Sequence, residues 1–252
     1  MILQIYKHLK SYIIFNIISI LGTFYNGNII LGFKLSINFL ITDLKYQLYI
    51  KKKYKKIFYK HKQFLKNNCR ISNDWFLTNI PIWSNLFETY KLNKKSLNVL
   101  EIGSFEGNSS LFLLRNLKKI KLTCVDTFTG SDEHKNINFN KIYSNFKYNM
   151  SKLNTNVKIV NNTSSFFFKK NKQNYDLIYV DGSHSYKDVL QDAFNSFKIL
   201  KKNGIIIFDD FLWKFYKNKK KNPMYAIKIF LNKHSRDIKI LFTYHQLIII
   251  KK

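Results

Sequence analysis

The chain has 252 residues, with 43 lysines and arginines against 15 acidic residues and a formal net charge of +28. That length suits one α/β domain with an extension and argues against two independent catalytic domains. Cys69 and Cys124 are the only cysteines and show neither a CxxC pair nor metal-type spacing, so a disulfide framework and a zinc knuckle are not indicated and a reducing, cytoplasmic compartment is the default.

Arginine occurs only at Arg70, Arg115 and Arg236, while lysine is spread along the whole sequence. The charge therefore reads as a compositional bias with a solvated lysine-rich surface, although so basic a chain also attracts nucleic acid or anionic lipid without specificity.

Residues 1–66 carry no recognisable chemistry. Tyr12 to Tyr25 is apolar but broken by Asn16, Ser19, Gly22 and Thr23, and Ile29 to Ile41 is broken by Lys34 and Asn38. Each run is shorter than the roughly 18 to 20 apolar residues that cross a bilayer. The first follows Lys7 and Lys10 in the manner of a signal-peptide core, without the small-residue cleavage pattern. Three readings stay open here: helices packed on the following domain or on a second copy, a membrane-surface or spanning anchor, and an atypical leader. Lys45 to Lys66 interleaves lysines with Tyr and Phe, a cationic amphipathic helix with single-stranded nucleic acid as the other reading. Asp74 to Phe87, DWFLTNIPIWSNLF, is expected to be a lid over a cofactor pocket, with plain packing as the alternative. The division of the chain is drawn at residues 1–72, a helical extension, and 73–252, the catalytic domain.

From Leu97 onward strands and helices alternate. Strands are expected at Val99 to Ile102, Lys121 to Val125, Val157 to Val160, Leu177 to Val180, Ile205 to Phe208, Ile238 to Phe242 and Leu247 to Ile250. Helical patterns lie at Ser109 to Lys118, Asn140 to Lys152, Ser164 to Lys170, Tyr186 to Leu200 and Met224 to His234. This alternation predicts an α/β fold with a doubly wound, Rossmann-like, mainly parallel sheet. Only Thr243 to Gln246 separate the last two strands, too few for a crossover, so the final strand is reversed.

Leu97 to Ser110, LNVLEIGSFEGNSS, reads as a buried strand, a glycine turn and a helix start. Its E-x-G-x-x-x-G spacing lacks the central glycine of the dinucleotide fingerprint and the Lys-Ser/Thr pair of a phosphate loop. The second, fourth and fifth strands end in acid: Asp126 in CVDTF, Asp181 in IYVDGSHSY, and Asp209 with Asp210 in IIIFDDFLW. In an open α/β sheet ligands bind at these strand ends. Asp126, 23 residues beyond Gly103, is placed to accept hydrogen bonds from both hydroxyls of a ribose. Converging carboxylates without a nearby arginine call for a hard cation such as Mg²⁺, Ca²⁺ or Mn²⁺.

These motifs resemble the class I S-adenosylmethionine (SAM) dependent methyltransferases, in particular the broad group with a DGSHSY segment that is similar to metal-dependent O-methyltransferases. The resemblance spans about Asp74 to Ile250 and implies that group's sheet, with a reversed final strand at its edge, plus amino-terminal helices. It assigns Asp126 and Thr127 to the SAM ribose and Glu101 to its methionine end. The turn from Gly103 to Gly107, with Ser104 and Ser109, would approach the cofactor closely, Asp181 would adjoin it, and Ser164 would lie near the adenine. It further implies a divalent ion on Asp181, Asp209 and Asp210. His184, beside Asp181, would be the general base or a further ligand. Trp213 and Tyr216 would wall the acceptor.

The implied activity is methyl transfer from SAM to a hydroxyl oxygen of a small-molecule or glycan acceptor. RNA ribose methylation and a non-catalytic, membrane-associated SAM-binding scaffold are the alternatives. Homo-oligomerisation is left open.

Overall fold

The computed structural model describes residues 2–25, 27–130, 139–153 and 157–252; Met1 and Asn26 of the expected extension lie outside that description. The amino-terminal part is helical: α1 (Ile2–Phe24), α2 (Ile29–Lys45), a π-turn at Tyr46–Ile50, α3 (Lys51–Lys53) and α4 (Lys55–Asn68). A 3₁₀ turn at Trp75–Asn79 leads into α5 (Ile80–Thr89). The alternating part follows: β1 (Ser96–Ile102), α6 (Asn108–Asn116), β2 (Lys119–Asp126), α7 (Ile142–Met150), β3 (Val157–Asn161), α8 (Ser164–Lys170) and β4 (Tyr175–Val180). It closes with α9 (Tyr186–Ile199), β5 (Leu200–Phe208), α10 (Pro223–His234), β6 (Ile238–Thr243) and β7 (Leu247–Lys251).

Local chemistry accounts for the boundaries. Ser185 caps α9 by accepting the Asp188 amide, and Thr163 caps α8 by accepting that of Phe166. Val189, Ala193 and Phe197 then form the buried stripe of α9. Val99, Leu100 and Ile102 are all buried, as a central parallel strand covered on both faces requires.

The seven strands lie in the order β3-β2-β1-β4-β5-β7-β6. The first five pair in parallel, and β7 runs antiparallel to both β5 and β6. The final strand is thus reversed as expected, but it stands one place in from the edge, with β6 outermost. Ile102 pairs with Val125 and Val180, and Val180 with Phe208. This register brings the segments after β1, β2, β4 and β5 to one edge, with the switch in strand order between β1 and β4.

Helices cover both faces. Trp83 of α5 meets Tyr179 of β4 and Phe112 of α6 on one face, while Phe208 of β5 meets Phe230 of α10 on the other. The segment Asp74–Phe87 is accordingly a core layer instead of a lid. Ile80, Ile82, Trp83, Leu86 and Phe87 are buried, and the Trp83 indole N–H donates to Gln246 Oε1 at 2.8 Å, satisfying the ring's polar end inside the core. Trp75 alone of its large side chains is exposed, with its ring 5.3 Å from that of Phe105 in the glycine turn.

Helix α2 packs on β6, and α1 packs on α2 and α10. Ile20, Phe24, Leu35 and Phe39 are fully buried in the same hydrophobic core as the sheet. Among the described residues no helix is long and apolar enough to cross a membrane.

Candidate active site at the carboxyl edge of the sheet

Gly103 sits at φ +84°, and a Cβ there would lie 1.8 Å from the carbonyl oxygen of Asp181. The backbone after β4 therefore approaches the turn as only glycine permits. Gly107, at φ +86°, abuts Met150 and Phe146 of α7. Ser104 N and Phe105 N both donate to Asp126 Oδ2 at 2.7 Å, and Phe128 N donates to Oδ1 at 2.6 Å. A carboxylate offers about four lone-pair directions, so three amides leave about one. Asp126 thus stands at the mouth with less free acceptor capacity than a grip on two ribose hydroxyls demands. Phe105 and Phe128 hold left-handed backbone at φ +47° and +55°, which costs a non-glycine residue roughly 1–2 kcal/mol. Thr127 Oγ1 is turned to its own loop, accepting from the Thr129 hydroxyl at 3.0 Å.

Glu101 departs from its expected place. It is fully buried, accepting from Ser109 Oγ at 2.5 Å, from Ser110 Oγ, and from Cys124 Sγ at 3.4 Å. Burial pushes its carboxyl above the ordinary range, and the hydroxyl donors oppose that rise. The side chain braces the start of α6 beneath the turn, because both faces of β1 are buried and give it no outlet. Ser109 faces it for the same reason.

Glu106 escaped the sequence reading. Its carboxylate accepts from Ser72 N at 2.5 Å, Ser72 Oγ at 2.9 Å and Asn145 Nδ2 at 2.8 Å, while Asn149 Nδ2 reaches its carbonyl at 2.8 Å. The turn is thereby tied to the chain before the 3₁₀ turn and to α7. An acidic residue inside a glycine turn was its one visible signal.

The second cluster consists of Asp181, His184 and Asp210, one donor atom of each lying within 4.8 Å of the others. His184 Nε2 is 2.8 Å from Asp210 Oδ2 and 3.7 Å from Asp181 Oδ1. The His184 side chain is 15% exposed and the two carboxylates about a third, so the group opens to solvent on one side.

Asp209 does not join them. Its Oδ2 accepts from the Tyr179 hydroxyl, from Gln246 Nε2 at 2.9 Å and from Asn79 Nδ2 at 3.3 Å, and its Oδ1 accepts from Asp210 N at 2.8 Å. Of the expected set Asp181, Asp209 and Asp210, the structure turns the middle member inward and puts His184 in its stead. The same Tyr179 hydroxyl, with its single proton, also lies 2.7 Å from Asp181 Oδ2. Desolvation, with Asp209 adding to it, raises the Asp181 carboxyl well above its ordinary range, against which His184 pulls it down. Desolvation and then the neighbouring Asp210 raise Asp209 to about 6.

Trp213 lies 4.8 Å from the His184 ring, with Phe215 stacked on it and Tyr216 edge-on. Asn222 fixes this wall, its Oδ1 accepting from Phe215 N at 3.1 Å and Tyr216 N at 3.0 Å. Ser164, at the start of α8, lies beside Asp192 of α9, and a Cβ on Gly182 would lie 3.5 Å from that same carboxylate. Ser164 is thus coupled to the underside of the Asp181 loop.

Residues 100–211 match the family profile of a methyltransferase domain. The matched segment runs from within β1 to just past β5 and holds the glycine turn, Asp126, Asp181 and His184. Among particular relatives, Uncharacterized protein R132 of Acanthamoeba polyphaga mimivirus is 27% identical over 156 residues, 61% of this chain and 67% of that protein. The SAH-bound Podospora anserina methyltransferase PaMTH1 is similar in structure, with a TM-score of 0.52 at 16% identity over 83% of this chain and 94% of that one. The MycE methyltransferase of the mycinamycin biosynthetic pathway, in complex with Mg, SAH and mycinamycin VI, has a TM-score of 0.53 at 14% identity. The match covers 77% of this chain and about half, 54%, of MycE. At such identities the solved structures speak for the fold.

Proposed function

We propose that the chain transfers a methyl group from SAM to a hydroxyl oxygen of a small-molecule or glycan acceptor, with a divalent cation at the second cluster. The observation that carries this reading is the meeting, at one sheet edge, of a glycine turn closed by Asp126 with a carboxylate–imidazole group walled by Trp213. The donor set fits a hard cation: Asp181 and Asp210 offer carboxylate oxygens, and the proton affinity of Asp181 is raised by desolvation and by the nearby carboxylate of Asp209. A bound divalent ion would supply Lewis-acid polarisation of the acceptor oxygen. Bound SAM would supply a methyl group already activated on a sulfonium.

The chain's own residues then align and deprotonate. Gly103 lets the chain after β4 close on the glycine turn, Asp126 orients a ribose hydroxyl, and Trp213 presents the acceptor oxygen. His184 takes the hydroxyl proton at Nε2, which lies 2.8 Å from Asp210 Oδ2 and 3.7 Å from Asp181 Oδ1. Transfer from bound SAM would make the oxygen–methyl bond as the carbon–sulfur bond breaks, leaving S-adenosylhomocysteine (SAH), with the acceptor's proton held on His184.

Calorimetry with SAH and labelled-methyl transfer to a panel of sugars and phenols, with and without chelator, test this. Wild-type protein binds SAH and loses transfer on chelation. Asp210→Asn retains SAH binding and loses transfer. Failure of the wild type to bind SAM or SAH ends the reading.

A further inference from the structure

Helix α2 is apolar on both sides. Leu31, Leu35 and Phe39 enter the core, while Ile30, Phe33, Ile37, Leu40, Ile41 and Leu44 form an outward stripe along the helix, each between 36% and 66% exposed. An outward apolar stripe on a helix that already buries its other side calls for a second apolar environment besides its own core. The stripe is not isolated. On the neighbouring α1, Ile14, Phe15 and Ile18 are exposed in the same way, at 46%, 59% and 63%. Adjoining rows of this kind mark an interaction surface, in contrast to singly scattered apolar residues.

Charge identifies the partner. From residue 1 to 66 every charged residue is a lysine except Asp43, and Asp43 is buried. Lys34 and Lys45 stand exposed on α2, with Lys51, Lys52 and Lys53 following in α3. At the start of α2 a groove of about 690 Å³ opens between that helix and β6, lined by Lys34, Arg236, Lys239 and Lys252 beside Ile30, with no aspartate or glutamate side chain in its wall. The apolar stripe and a cationic groove thus share Ile30, with Lys34 of the groove on the same helix.

We propose that the α1–α2 face docks on an anionic lipid surface, with the stripe entering the boundary of the acyl chains and the groove receiving lipid phosphates. A hydrophobic row with lysines beside it is the combination that binds such a surface. A second copy of this chain suits the face less well. A two-fold contact is self-complementary, so it sets each patch against its own kind and brings the lysines of both copies together.

The face reaches the reaction edge. Tyr12 of α1 is 3.2 Å from His245 in the β6–β7 turn, and Lys214 of the aromatic wall lies 3.7 Å over the Phe15 ring. Docking in this way sets the acceptor mouth beside the lipid headgroups. The binding surface itself does not depend on the methyl-transfer reading.

Co-sedimentation of the full chain with vesicles tests the proposal. Vesicles of phosphatidylcholine with phosphatidylglycerol carry the protein down, phosphatidylcholine alone does so at least about tenfold less well, and added salt weakens the anionic case. The double variant Ile37→Glu/Leu44→Glu lowers anionic binding by roughly tenfold or more. Lys34→Glu/Arg236→Glu removes the preference for the anionic lipid. All four sites are exposed, so far-ultraviolet circular dichroism and the unfolding midpoint stay at the wild-type values. Equal and weak sedimentation with both vesicle types overturns the proposal. So does a wild-type dimer in sedimentation equilibrium that Ile37→Glu/Leu44→Glu dissociates, since the face then belongs to a second copy.

Discussion

Asp126 and Asp209 show how the same side chain takes different duties according to which donors reach it first. Asp126 serves the backbone of the glycine turn before any ligand arrives, so Asp126→Ala strips an acceptor from three amides as well as from a ribose. We expect it to lower the unfolding free energy by about 1–3 kcal/mol and SAH affinity by at least about tenfold, read by chemical denaturation and calorimetry. Asp209 and Asp210 are neighbours with opposite environments. Asp209→Ala leaves Gln246 and Asn79 without their shared acceptor and Tyr179 with Asp181 alone, at roughly 1–3 kcal/mol of stability for each donor left unsatisfied. Asp210→Ala touches a partly exposed carboxylate, and its effect falls on Mn²⁺ affinity, measured by titration calorimetry, with the unfolding midpoint unchanged. A stable Asp209→Ala protein that loses only the ion would reverse these assignments.

At the scale of elements, the chain was most legible where burial on two faces left nothing to decide. The apolar run Val99–Ile102 and its counterparts announce parallel strands without needing any knowledge of their neighbours. The inward turn of Asp209 was also written in the alternation. Ile207 pairs with Tyr179, and Asp209, two residues on, points to the same face. What could not be read was partnership over distance: Glu106 with Ser72, Trp83 with Gln246, and Ser164 with Asp192 join segments that local pattern does not relate. Asp192 makes such a partnership measurable. Desolvation raises its carboxyl from 3.8 to about 7, so the folded state favours the protonated form. Its contribution is complete below about pH 4 and is lost as pH rises through 7. Asp192→Asn keeps the shape and removes the titration. It should match wild type in thermal unfolding near pH 4 and exceed it near pH 8 by a few kcal/mol, at about 1.4 kcal/mol per tenfold change in proton affinity. Parallel stability curves for the two proteins across that range would refute it.

For the whole molecule the question is whether residues 1–72 are an appendage or part of the fold. The lysine-rich composition suggested an extension, and local pattern gave no means of seeing where its apolar side would go. In the structure α2 covers the outermost strand, β6, while Lys228 of α10 donates to the Thr23 carbonyl at 2.7 Å. Ile20, Phe24, Leu35 and Phe39 are each fully buried. At about 1.5–3 kcal/mol for a buried side chain of this size, four of them contribute an amount comparable with the 5–15 kcal/mol by which domains are stable at all. Deleting the helices also bares β6, an edge strand whose unpaired backbone invites association. A chain shortened to begin at Asn73 should therefore aggregate or lose cooperative unfolding, while the full-length Ile37→Glu/Leu44→Glu protein, altered only on the outer face, unfolds as sharply as wild type. A shortened chain that stays monomeric with an undiminished midpoint would show that the helices lean on the domain without supporting it.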